Sequence, residues 1–145
     1  MEIEMTISKI STKNIVNFTT TITVTNTVDE ILAEKGFMPR EQIRSITVDN
    51  AIVNPRTHRL YLPADIIAKL GLPLVNEIEV KTATGVRIAR LFDRVTLTLQ
   101  GQEAQPDCIE LPEGESAIVG LLALEELGLR LDMDNQQLIE VPDRI

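Results

Sequence analysis

The chain has 145 residues, 43% hydrophobic, 25% charged and only 3% aromatic, with 14 Lys and Arg against 22 Asp and Glu for a formal charge of −8. That length suits one domain with its own core, built from Ile, Leu and Val, and the acid excess argues against a partner made of phosphate backbone or anionic lipid. Cys108 is the only cysteine and excludes an intrachain disulfide, no apolar run nears the roughly 18 residues of a membrane span, and no signal-peptide core is present at the N-terminus, so the expectation is a cytoplasmic protein.

Residues 1–17 alternate weakly through Ile3, Met5 and Ile7 and suit an N-terminal arm or strand extension; the domain proper is expected over 18–145. Phe18–Thr25 reads as a strand, with Ile22 and Val24 marking one face among threonines. Thr27-Val28-Asp29-Glu30 fits a capping box for a helix over 28–35 that stops at Gly36. A strand follows over Glu41–Val53, with a possible interruption at Asp49-Asn50. Pro63 opens a helix through Leu70 with Ile66, Ile67 and Leu70 as its apolar stripe, and Gly71 closes it. Residues 75–91 form a β-hairpin about Ala83-Thr84-Gly85; Val95–Gln100 is a strand, and Gln102–Leu111 its partner. After a loop at Pro112-Glu113-Gly114 comes the apolar run Ala117-Ile118-Val119, then a helix over 121–127 closed by Gly128 and two strands flanking a turn at Asp132–Asn135. Many short strands with two or three short helices predict a mainly β, barrel-like domain, closed or partly open.

Chemistry concentrates in Ile52–Pro63. Here an Asn-Pro turn, Arg56, Arg59 and the sole histidine, His58, stand between an apolar β-branched run and an L-x-L-P step. Other candidates carry plainer readings. Asp132-x-Asp134-Asn135 lacks the glycine and distal glutamate of a calcium loop and suits a hairpin turn. Cys108 suits a half-buried strand position, and one His with one Cys fifty residues away makes no metal set. His58 has no G-x-S-x-G elbow to serve a serine nucleophile. No metal and no cofactor is expected.

In order, Leu60-Tyr61-Leu62-Pro63, Leu70-Gly71-Leu72, the hairpin tip Lys81–Val86, Ile118-Val119-Gly120 and the L-E-x-L-G-L step at Leu124–Leu129 resemble the retropepsin-like (retroviral-type) aspartic protease domains of bacteria, over residues 18–141. The resemblance implies an acid-protease β-barrel and a homodimer, each protomer giving half of a peptide cleft beneath two flaps. Ala83, Thr84 and Gly85 would be flap residues, and Asn54, Arg56 and His58 would line the cleft.

The departure lies at the motif itself. Nine positions before Pro63 the catalytic Asp is replaced by Asn54, the Thr or Ser by Pro55, the Gly by Arg56 and the Ala by Thr57. Aspartic proteases need two carboxylates sharing a proton, and an amide neither titrates nor activates water. Pro55 removes a hydroxyl and an N–H, and Arg56 puts a cation where backbones should approach. No catalytic residue is therefore assigned. The expectation is an inactive retropepsin-like module that binds a peptide or protein partner. The alternative is an active aspartyl-type peptidase using another carboxylate in the same cleft; Asp49 is the candidate, but it stands five residues too early. A third reading is a swapped-hairpin DNA-binding regulator, which Arg59–Val80 also resembles; the acidic chain disfavours it.

Overall fold

Threonine alternates with isoleucine and valine along Thr19–Asn26, and this stretch is β1, with Ile22 and Val24 fully buried. The structure is a computed structural model describing residues 18–82 and 84–142; the expectations for residues 1–17 and for Ala83 lie outside these. β1 runs antiparallel between β2 (Ser45–Val53) and β6 (Val95–Leu99). The rest of the main sheet comprises β3 (Leu60–Pro63), β4 (Leu74–Thr82), β5 (Gly85–Phe92), β7 (Gln102–Ala104), β8 (Cys108–Leu111) and β9 (Ile118–Val119). Its order is β4-β5-β8-β3-β9-β2-β1-β6-β7, and β10 (Leu129–Asp132) pairs separately with β11 (Gln137–Glu140).

The mainly β expectation holds, but the sheet does not close into a barrel. Its ends are β4 and β7, the latter only three residues long. The expected strand over 102–111 breaks in two, because Pro106 has no N–H to offer a ladder. Its first half pairs with β6 and its second with β3 and β5. Asp49-Asn50 does not end β2, but the ladder is irregular there: the two steps from Thr20 to Ile22 on β1 face three on β2, from Ala51 to Val48, so β2 carries one extra residue at Asp49-Asn50 as a bulge.

Short helices stand at the strand ends: α1 (Thr27–Glu34), α2 (Ala64–Leu70) and α3 (Leu121–Leu127). α2 and α3 stop at Gly71 and Gly128, both left-handed, where an L side chain would be strained. α1 differs from expectation at its start. Asn26 is the N-cap, its Oδ1 accepting from Asp29 N–H at 2.9 Å, while Thr27 and Glu30 both turn to Thr96. The amide reaches the orphan N–H from the strand end, which leaves Thr27 free for the buried hydroxyl contact. Asn26 Nδ2 also donates to the Leu70 carbonyl at 2.7 Å, so one side chain joins the start of α1 to the end of α2.

The main apolar cluster includes Ile22, Val24, Val53, Leu60, Leu62, Leu97, Val119 and Leu124. Because side chains alternate across a strand, the neighbouring residues Tyr61, Ile109 and Ile118 form a second cluster, joined by Ala89, Leu91 and Leu111. Cys108 is fully buried in the first cluster rather than half-buried. Burial pushes its thiol up to about 12, and Asp107, Asp93 and Glu110 push the same way. We expect no labelling of native protein by a thiolate-selective reagent at neutral pH and stoichiometric labelling in denaturant; fast native labelling would contradict this burial. No helix of the described residues is long and apolar enough to cross a membrane.

Candidate functional site

The loop 54–59 leaves β2 and returns into β3, and β9 fills the slot between these strands, parallel to β2 and antiparallel to β3. Asn54 is the last residue anchored to the sheet: its N–H donates to the Val119 carbonyl at 3.0 Å, and it is only 2% exposed. Its side chain closes an Asx turn, Oδ1 accepting from Arg56 N–H at 2.9 Å. Proline is well placed between them, since its missing N–H is not needed there. The Asn54 carbonyl accepts from both Thr57 N–H, at 3.1 Å, and Thr57 Oγ1, at 2.9 Å. Asn-Pro-Arg-Thr is thus a self-contained turn.

The far half of the loop is tied to α3. Gly120 N–H donates to the Arg59 carbonyl at 3.0 Å, Leu121 N–H to Thr57 at 2.7 Å and Leu122 N–H to His58 at 2.9 Å. Three loop carbonyls therefore satisfy N–H groups that a helix start leaves without partners. The approach is close enough that a Cβ on Gly120 would sit 2.6 Å from the Arg59 oxygen and 2.6 Å from the His58 carbonyl carbon. Its backbone, at φ −92° and ψ −178°, is ordinary extended chain, so glycine is required here by space alone.

This anchoring leaves three polar side chains of the loop outside. Arg56, His58 and Arg59 are all exposed, and among the described residues none of them forms an ion pair, although the chain carries 22 acidic residues. Arg59 lies near Tyr61, whose phenol is pushed up by burial and drawn slightly back by that guanidinium. His58 and Arg59 also border a shallow cleft of about 220 Å³, whose other walls include Asp107, Leu122 and Glu126.

The hairpin of β4 and β5 stands at one end of the sheet order, separated from β2 by β8, β3 and β9. Thr84 and Gly85 are exposed at its tip, while Ile78 and Val80 pack on the second apolar cluster, as does Ile52, two residues before Asn54. The structure thus groups Asn54, Pro55, Arg56 and His58 in one loop and puts Thr84 and Gly85 at a separate hairpin end. Asp49 is exposed on β2, away from that loop. Asp132 caps the β10–β11 turn as read, accepting from Asp134 N–H, Asn135 N–H and Asn135 Nδ2; the last of these bonds is the main cause holding its carboxyl below the usual range. Among the described residues no group of three or more His, Cys, Asp or Glu is placed to hold a metal ion.

Two features were missed by sequence reading. The role of Gly120 is spatial and leaves no local signal beyond the glycine itself. Asp29 is buried against Arg44, accepting from its N–H at 3.0 Å, its Nε at 2.9 Å and its Nη2 at 3.0 Å; these residues are 15 apart and share no motif. No family model matches this chain, and no curated protein matches it.

Proposed function

We propose that the chain is a retropepsin-like domain without protease chemistry, working as a homodimeric module that binds or assembles a peptide or protein. The observation that carries this reading is Asn54. At the position the resemblance gives to the catalytic carboxylate stands a neutral amide, and its oxygen is already engaged in holding the Asn-Pro turn. Such a group can neither share a proton with a symmetry mate nor take one from water. What the loop offers is recognition: two exposed arginines flanking His58, with no ion pair among the described residues, on a turn fixed at both ends, suit an extended segment bearing carboxylates.

The test has two arms. Fluorogenic peptide pools incubated from about pH 3.5 to neutrality should show no turnover, and pepstatin-sensitive cleavage would overturn the reading. Acidic peptides followed by fluorescence polarisation should bind, with Arg56→Ala weakening affinity by about 5-fold or more at low salt. Equal binding by that variant, or none by the wild type, removes this loop as the recognition element.

A further inference from the structure

We propose that two copies of this chain associate by antiparallel pairing of their β4 edges, about a two-fold axis at Val80. β4 runs nine residues with no proline and ends the sheet order, so one of its two edges has no strand beside it among the described residues. A long unpaired edge is a template for another strand unless something blocks it. Charge on an edge usually provides the block, because like charges meet when copies approach. Here the sequence Ile78-Glu79-Val80-Lys81-Thr82 does the opposite. With Val80 opposite Val80 of the second copy, Glu79 falls opposite its Lys81 and Lys81 opposite its Glu79, giving two ion pairs on one face. The adjacent register, centred on Glu79, also sets Glu77 opposite Lys81 of the second copy but forces the two Glu79 carboxylates together at the axis, so the charge pattern favours the alignment at Val80.

Among the described residues of a protomer these charges are unsatisfied. Across the ladder Glu79 faces Ile88 and Lys81 faces Val86, and among the described residues neither charge makes an ion pair. Val86 and Ile88 are 58% and 61% exposed, and pairing would place the new ion pairs beside this apolar strip, where solvent screening falls. On the other face, Ile78 and Val80 already pack on the second apolar cluster, and the two valines at the axis would extend it. Such a contact is the two-fold through which this chain would dimerise, in place of the cleft pairing that the resemblance implies; it leaves loop 54–59 open on each protomer, and it stands or falls independently of peptide binding there.

Light scattering and sedimentation at several ionic strengths test it. The wild type should be dimeric at micromolar concentration and dissociate as salt rises. Glu79→Lys opposes Lys81 on both sides of the axis and should weaken association at least 10-fold, leaving circular dichroism unchanged. The double reversal Glu79→Lys with Lys81→Glu should restore the dimer. A monomeric wild type, a dimer unaffected by Glu79→Lys, or a double variant as weak as the single one would each overturn the proposal. Neither charge lies in the loop read as the peptide site, so unaltered peptide binding by the Glu79 variant separates the two readings.

Discussion

Gly120→Ala is expected to destabilise the protein by about 3 kcal/mol or more, among the largest effects a single methyl group can produce here. The three nearest atoms to the added carbon would be Arg59 O at 2.6 Å, His58 C at 2.6 Å and Arg59 N at 2.8 Å. All are main-chain atoms, and none can rotate away as a side-chain end could. Relief requires lifting 58–59 off α3, which breaks the hydrogen bonds from Gly120, Leu121 and Leu122 at roughly 1 kcal/mol each. Urea unfolding measures the loss directly. A decrease below about 1 kcal/mol would mean that the loop is not held against the helix as described. The same variant should lose peptide binding while still folded, since the cations would no longer be held on one surface.

Asp29→Ala should cost about 3 kcal/mol at neutral pH. The carboxylate is buried at the start of α1 and accepts three hydrogen bonds from Arg44, and its N–H is the one that Asn26 caps. The Arg44 side chain is about half exposed, which lets water take over part of its solvation and keeps the loss from being larger. Asp29 titrates below the usual carboxylate range, chiefly because of the Arg44 side-chain bonds, with burial opposing them. The sign follows: its contribution is complete above the unfolded value of about 3.9 and disappears as pH falls through the lower folded value. The gap between wild type and Asp29→Ala should therefore narrow from neutral pH to about pH 3. A gap independent of pH would show that the aspartate acts through packing rather than charge.

Local signals carried much of the secondary structure. Threonine–isoleucine alternation marked β1, and the apolar stripes ending at Gly71 and Gly128 marked α2 and α3 closely, because strand and helix periods and left-handed glycines are written in neighbouring residues. Longer-range facts were not legible. Pro106 splits the expected strand over 102–111, and that split depends on which strands are available to each half. The cap of α1 went to Asn26 rather than Thr27 because Thr96, about seventy residues away, accepts the threonine's company. At the candidate site, Asn54 and Arg56 could be singled out by residue type. That the asparagine oxygen would close the turn, and that three loop carbonyls would seat a distant helix, depends on Gly120 arriving from another part of the chain.

The two-residue strand β9 has a consequence for how the protein is made. β2 and β3 are complete once residue 63 has been synthesised, yet the slot between them is filled by residues 118–119, which also supply the bond that fixes Asn54. Ile52 pairs with Ile118, a contact across 66 residues, whereas β1 meets β2 across roughly half that distance. Contacts of such separation form late. On the ribosome, the β1–β2 ribbon can assemble while loop 54–59 still lacks both its anchors. Loop 54–59 becomes anchored only when residues 119–122 have emerged, so a chain ending before them would lack both the acceptor for the Asn54 N–H and the helix N–H groups that hold residues 57–59.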